Sequence, residues 1–450
     1  MRVHFIAIGG SAMHNLALAL HNAGHIVSGS DDEIFEPSRS RLDEKGLLPE
    51  NYGWFPENIN EKIEVVILGM HAKPDNPELA RAREINLKIV SYPEFLFQQS
   101  LNKKRIVIGG SHGKTTITSM VMHVLSKMKV DFDYMVGSKI KGFDVMVRLS
   151  DAPIIILEGD EYLSSPIDRR PKFHWYKPHL AVLTGIAWDH INVFPTFENY
   201  TDQFLKFVDL MMDDSKLFYF KDDAVLTEVI GNAKKSVLKI PYGLPVNKIV
   251  DGISYVQSEG KSIPLSVFGN HNLINLNAAQ LVCNELGISN DDFFLAIKSF
   301  DGASNRLELV NKKNSCLIYK DFAHAPSKVI ATVNAVRNQY LDKKFVACLE
   351  LHTFSSLNSD FIGEYAGSLD LADKACVYFN PHALKLKRLP SLEKEEVRKA
   401  FKRNDIAVFN DSKEMQEWIL NQKSNNVVFL MMSSGNFDGI DLHEFSKSLM

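Results

Sequence analysis

Cysteine is scarce: there are four in 450 residues, Cys283, Cys316, Cys348 and Cys376, and none has CxxC spacing. That excludes a disulfide framework and a cysteine-built zinc site. No run of about 18 apolar residues occurs, so no membrane-spanning helix and no membrane partner are expected. A dominant charge is also missing, because 51 Lys+Arg face 55 Asp+Glu for a formal net charge of −4. A dedicated nucleic-acid binder leaves a basic excess, so no nucleic-acid partner is expected. The opening MRVHFIAIGGSAM has neither the apolar core nor the small-residue cleavage site of a signal peptide, and the expected compartment is the cytoplasm. Internal repeats and low-complexity tracts are absent too. What remains is 45% apolar residues in a chain long enough for about three domains.

Short β-branched runs alternate with amphipathic stretches almost throughout. VHFIAI (3–8), VVILG (65–69), RIVIGG (105–110), PIIILEG (153–159), LAVLTGI (180–186), CLIYKD (316–321), KFVACLEL (344–351), KACVYF (374–379) and VVFLMM (427–432) read as buried strands of parallel sheets. Stretches such as 117–128 and 327–340 carry helical apolar spacing. The expected class is α/β, built from βαβ units. Polar 98–105 and the SFDGASNR segment (299–306) divide it into 1–102, 103–301 and 302–450. Region 216–268, rich in Gly, Pro and short β-like runs, gives no clear pattern.

GGSHGKTT (109–116) is the strongest local signal: a buried strand enters it and an amphipathic helix leaves it. Backbone N–H groups of Gly110 and Gly113 at such a junction converge on phosphate oxygens, and the helix dipole favours negative charge there. Lys114 reaches the β/γ-phosphates, Thr115 offers a hydroxyl to Mg²⁺, and the helix is expected to begin just after Thr116. The loop is a shortened variant of G-x-x-x-x-G-K-[ST], because position 108 is Ile.

A second glycine loop, IGGSAM (8–13), supplies Gly9, Gly10, Ser11, Ala12 and Met13, and the next strand ends at Asp31. Ala7 holds the place of the first glycine in a dinucleotide fingerprint, and no third glycine follows. A tight turn and a phosphate site for a UDP group both fit it. In PIIILEGDEY the apolar strand delivers Glu158 to a ligand-bearing strand end, where a hard carboxylate beside a triphosphate suits Mg²⁺. A solvated acidic turn is the alternative. His190 in WDHINVF fits a ligand or a satisfied structural histidine. Asn272 and Asn275 lie around a helix start, and Arg306 fits a surface residue. Asp321 and His324 lie between a strand and a helix, again a ligand-bearing position.

In order along the chain, GGSHGKTT, LEGDEY, WDHINVF, GNHNLINLNAA, NRLEL and DFAHAP resemble the motifs of the Mur ligase family. The resemblance spans essentially the whole chain. It implies a Rossmann-like UDP-substrate domain, a central P-loop ATPase domain and a C-terminal Rossmann-like ligase domain. It also implies an ATP- and Mg²⁺-dependent, ADP-forming ligase of peptidoglycan synthesis that works through an acyl phosphate. Lys114, Glu158 and His190 are then catalytic, with Thr115, Glu158 and His190 holding metal. Gly110, Gly113, Lys114, Thr115, Thr116, Asn272, Asn275, Arg306 and Asp321 bind ATP. Gly9, Gly10, Ser11, Ala12, Met13, Asp31, His112 and His324 bind the small-molecule substrates. Segments 158–178 and 432–441 are similar to the branch that joins UDP-N-acetylmuramate to L-alanyl-γ-D-glutamyl-meso-diaminopimelate in recycling. The branch that adds L-alanine is the alternative, and a UDP-sugar sensor without turnover is a third reading. ELHTFSSLNS (350–359), where the amine substrate is expected, matches neither branch.

Overall fold

The computed structural model describes residues 1–188, 193–250, 252–302 and 306–450. Two compact units emerge: residues 1–243 with 275–296, and residues 244–274 with 297–450. No helix among the described residues is long and apolar enough to cross a membrane.

The first unit holds two sheets. One contains β1 (Arg2–Ile6), β2 (Ile26–Ser30), β3 (Val65–Leu68) and β4 (Ile89–Ser91), all parallel in the order β2-β1-β3-β4. The other is built from β5 (Lys104–Gly109), β6 (Asp133–Met135), β7 (Val147–Arg148), β8 (Ile154–Gly159), β9 (Leu180–Leu183), β10 (Lys216–Phe220) and β11 (Leu238–Tyr242). Its order is β11-β10-β9-β5-β8-β6-β7, with only β6–β7 antiparallel. Unbroken apolar runs such as Ile106–Ile108 and Ile155–Leu157 are fully buried, as strands covered on both faces require. In each sheet the strand order reverses beside the strand that precedes a glycine loop: β1 lies between β2 and β3, and β5 lies between β8 and β9. Crevices at such points are where ligands bind.

Local signals start the helices. Ser91 and Glu94 form a reciprocal capping box at Tyr92–Gln98, and Asn76 caps Pro77–Glu84 with Pro at its first position. The segment after β8 is tied to itself: Lys172 N donates to Tyr162 O (2.9 Å), Phe173 N to Asp160 O (3.1 Å) and Ser164 N to Arg170 O (2.9 Å).

The second unit contains an antiparallel sheet of β12 (Asn247–Val250), β13 (Ile253–Ser258) and β14 (Lys261–Leu265). Its other sheet contains β15 (Glu308–Lys313), β16 (Ser315–Asp321), β17 (Lys344–Leu351), β18 (Lys374–Phe379), β19 (Ala407–Phe409) and β20 (Asn426–Met432), ordered β15-β16-β20-β17-β18-β19. The poorly patterned region 216–268 thus supplies two parallel strands to the seven-stranded sheet and three to a small antiparallel one. Its weak signal has a physical source: most of β12 is exposed, so no buried face imposes a period.

Candidate active site

The first glycine loop leaves β5 beside the end of β8, with Ile108 paired to Glu158 and Gly109 to Gly159. Gly110 and Gly113 have φ of +115° and +82°. A Cβ at Gly110 would strike Thr184, and one at Gly113 would strike the Asn275 amide, so both positions need glycine. Lys114 opens the helix Lys114–Lys127, with Thr115 and the buried Thr116 in its first turn. The Lys114 ammonium donates to Gly110 O (2.6 Å) and to Glu161 Oε2 (2.8 Å). Glu161 is 2% exposed, and its other oxygen accepts the Tyr200 hydroxyl (3.0 Å), which lies 3.2 Å from Ser111 Oγ in the loop. Burial works against the Lys114 charge, but Glu161 first, with Asp160 and Glu158, holds its pKa above the ordinary lysine value.

Glu158 is buried at the end of β8. Thr115 Oγ1 donates to its Oε1 (2.8 Å) and Gly137 N to its Oε2 (2.9 Å). Asp160 points to Lys172 Nζ at 2.5 Å. Burial alone would raise the Asp160 pKa, yet the ammonium groups of Lys172 and Lys114 and two hydrogen bonds bring it down to about 2. His112 sits half-buried within the loop. His190 lies outside the described residues.

The second glycine loop delivers the helix Ser11–Asn22, whose N-cap, Gly10, offers no side-chain cap. Ser11 and Ala12 are exposed at that positive helix end, and Met13 is buried beneath them. Ala7, standing where glycine was expected, adopts φ of +69°, the left-handed conformation glycine would favour. Asp31 is buried and clamps the loop, accepting from Gly9 N through Oδ2 (2.7 Å). Burial is the main cause that pushes its pKa up to about 6.

The two loops open onto one cavity of about 250 Å³. Ser11, Ala12 and Asn15 line it from one loop; Lys114 and Glu158 line it from the other. Tyr92, Asp160 and Lys172 complete the polar wall. Motif spacing singled out both loops but missed Asn15, Tyr92, Glu161, Lys172 and Tyr200. For Glu161 the acidic turn itself was a signal. For the others only the tertiary fold supplies one.

In the second unit, Asn272 Nδ2 donates to Phe268 O (2.9 Å), and the Arg306 guanidinium lies 4.6 Å from the centre of the Phe322 ring. Asp321 is buried at the end of β16 and accepts from Leu307 N (2.6 Å) and Ala323 N (2.7 Å). Its pKa is raised, chiefly by burial, against the opposing pull of Arg306. His324 Nδ1 lies 2.8 Å from Phe322 O. A second cavity, about 350 Å³, is lined by Glu350, His352, Asn380, His382, Asn436 and Asp438. Glu350, 2% exposed, accepts the Ser433 hydroxyl and Phe437 N (2.8 Å).

Comparison with known proteins decides the family. The model of the Mur ligase family catalytic domain matches residues 2–104, the Mur ligase middle domain 108–283, and the Mur ligase glutamate ligase domain 305–435. UDP-N-acetylmuramate–L-alanine ligase from Clostridium kluyveri is 30% identical over 83% of this chain and 82% of its own. The chain belongs to the Mur ligase family. The Carboxydothermus hydrogenoformans L-alanine ligase is 27% identical over 100% of this Mur ligase and 97% of its own length. Among solved structures, the Thermotoga maritima UDP-N-acetylmuramate–alanine ligase superposes with a TM-score of 0.72, at 21% identity over 100% of this chain and 98% of that one. A murein peptide ligase from Psychrobacter arcticus gives 0.64 at 22% identity, with the same coverage. The Neisseria ligase for UDP-N-acetylmuramate and L-alanyl-γ-D-glutamyl-meso-diaminopimelate gives 0.59 at 26% identity, over 66% of this chain and 98% of that one. This Mur ligase is therefore an ATP-dependent, ADP-forming ligase of cell-wall biogenesis with the three-domain α/β architecture of its family, acting on small molecules.

Proposed function

We propose that this Mur ligase activates the lactyl carboxyl group of UDP-N-acetylmuramate with ATP and joins it to the amine of L-alanine. The observation that carries the proposal is the cavity of about 250 Å³ shared by the two glycine loops. The UDP diphosphate sits against Gly9, Gly10 and Ser11 at the open helix end, with Ala12, Met13 and Asp31 forming and bracing that loop. The carboxylate then extends toward Lys114. ATP lies along Gly110–Thr116, and Asn272, Asn275, Arg306 and Asp321 are its remaining binding residues. His112 and His324 are proposed as further substrate-binding residues.

Carboxylate and triphosphate repel each other, so attack on the γ-phosphorus needs positive charge placed in advance. Lys114 supplies it once its ammonium turns from Glu161 to the phosphates. ADP departs as the acyl phosphate forms; the neutral amine attacks its carbonyl carbon, the tetrahedral intermediate expels phosphate, and the nitrogen gives up a proton to leave the amide. Thr115 and Glu158 fit Mg²⁺: two hard oxygens 2.8 Å apart at a strand end beside the phosphate cradle, with room for phosphate and water ligands. Among the described residues no group of three or more His, Cys, Asp or Glu is placed to hold a metal, so the ATP phosphates would complete that set. When bound, the ion would neutralise charge on the transferring phosphoryl group. His190 is proposed as a further metal ligand, and the cytoplasm as the compartment.

The curated relatives favour L-alanine as the amine. One observation favours the tripeptide L-alanyl-γ-D-glutamyl-meso-diaminopimelate: the second cavity measures about 350 Å³. That lies within the ~300–1,000 Å³ range of pockets for drug-sized ligands and exceeds the needs of one alanine. The 26%-identical Neisseria structure belongs to that branch. The test is ADP release from Mg²⁺-ATP and UDP-N-acetylmuramate, with L-alanine or tripeptide supplied separately and the product weighed by mass spectrometry. Turnover with L-alanine supports the first reading, and turnover with tripeptide alone supports the second. Silence with both, at saturating ATP, overturns the choice of acyl donor.

A further inference from the structure

The wall of the cavity between the two glycine loops carries a cation that motif reasoning did not assign. Lys172 lines it together with Lys114, Glu158 and Asp160. Its position is fixed at both ends. The backbone N of Lys172 is bound to Tyr162 O (2.9 Å), and the ammonium is held 2.5 Å from Asp160 Oδ2 and 5.7 Å from the centre of the Tyr162 ring. The side chain keeps 21% of its surface exposed, so it is open to a ligand.

Charge accounting on this wall shows why a second cation matters. Lys114 and Lys172 face Glu158 and Asp160 on the wall, and Glu161 behind it engages Lys114 at 2.8 Å, so two ammonium groups already answer three carboxylates. Without Lys172, three carboxylates would share one ammonium. An acyl donor that enters as a carboxylate and becomes an acyl phosphate would meet a net negative wall. In a confined site that repulsion is little screened.

We propose that Lys172 is a second anion-binding residue of this cavity, receiving the carboxylate of the acyl donor and keeping hold of it as the acyl phosphate forms. Asp160 stores the ammonium in place until the donor arrives. The assignment rests on the proposed donor, UDP-N-acetylmuramate, and is separable from it by experiment. Lys172 makes no covalent bond to the donor; its ammonium exchanges part of its contact with Asp160 for a hydrogen bond to the donor oxygen.

The test is calorimetric binding, with Mg²⁺-ADP present, of UDP-N-acetylmuramate and of its neutral lactyl carboxamide. Both are titrated into wild type, Lys172→Gln, Lys172→Arg and Asp160→Asn. A charge-assisted hydrogen bond predicts that wild type prefers the acid by about 10–100-fold. Lys172→Gln should bind acid and amide nearly alike, and Lys172→Arg should keep most of the preference. Asp160→Asn, which frees the ammonium, should tighten the acid several-fold. A Lys172→Gln variant that discriminates like wild type makes Lys172 a brace for Asp160 and overturns the proposal. Equal binding of acid and amide by wild type overturns it too, while leaving the donor reading intact. If wild type binds neither compound, the donor reading falls and this assignment falls with it. Loss of fold in Lys172→Gln, read by circular dichroism, shifts the decision to the arginine and asparagine variants.

Discussion

Glu161→Gln probes the contact that occupies the ATP-loop lysine before nucleotide arrives. Lys114 Nζ sits 2.8 Å from Glu161 Oε2, and Glu161 is 2% exposed and held from its other side by Tyr200. A charge-assisted hydrogen bond of this kind contributes about 1.5–3 kcal/mol. Glutamine keeps the size and the acceptor for Tyr200 but removes the charge. Asp160 and Glu158 remain near enough to spare Lys114 the full penalty of an isolated buried charge. The nucleotide-free variant should therefore lose about 1.5–3 kcal/mol in urea unfolding of the transition that reports this unit. If the ammonium must leave Glu161 to reach phosphate, the ATP complex has already given up the bond and should be unaffected. ATP affinity then rises by the same free energy, about 10–100-fold at roughly 1.4 kcal/mol per decade. Fluorescence titration with a nucleotide analogue, paired with urea unfolding with and without Mg²⁺-ATP, measures both sides of the cycle. Equal destabilisation with and without ATP, with unchanged affinity, would refute the reasoning, because Lys114 would then bridge Glu161 and phosphate together.

Further outcomes follow from single residues. Gly110→Ala drives a Cβ into Thr184 at a φ of +115°, so ATP binding should fall at least tenfold and thermal stability should drop; unchanged binding would show that the loop has another way to fold. Ala7→Gly relieves a left-handed residue, about 1–2 kcal/mol, against one lost buried methyl, about 0.8 kcal/mol, and about 0.5–1 kcal/mol of added freedom in the unfolded chain. Urea unfolding should find the variant within about 1 kcal/mol of wild type, whereas a loss of about 2 kcal/mol would deny the strain. Asp31 has a folded pKa of about 6, above its ordinary 3.8, so the folded state holds its proton more tightly and stability falls as pH rises through that interval. Asp31→Asn should remove this slope, and unfolding midpoints of both proteins across the interval decide it. His174 has the opposite sign: burial holds its pKa down at about 4, so its contribution is complete above 6.5 and is lost as pH falls toward 4. His174→Gln should flatten that acid limb.

Several features were legible because local physics sets them. GGSHGKTT between a buried strand and an amphipathic helix needs no distant residue to form a phosphate cradle, and both of its interior glycines adopt positive φ. Ala7 shows the same rule from the other side, since the position expected to be glycine takes the glycine conformation at a cost. Apolar continuity marked the parallel strands because both of their faces are buried. It failed for β12, where little is buried and no period is imposed.

The residues that reading missed share one property: each gains its role from a partner far along the chain. Tyr200 reaches Glu161 across 39 residues, Lys172 reaches Asp160 across 12, and Asn15 bonds Met146 across 131. A tyrosine in an amphipathic helix or a lysine in a basic run carries no mark of such a meeting. The sequence by itself determined the α/β class, the two glycine loops and the family, because strand burial, glycine conformation and ordered motifs are properties of short segments. Only the tertiary structure decided that the loops share one cavity, that Asp31 braces a loop, and that Lys114 and Lys172 are each held by an acid of the same turn. Those facts depend on which strand ends the sheets bring side by side, and pairing between distant segments leaves no pattern within either one.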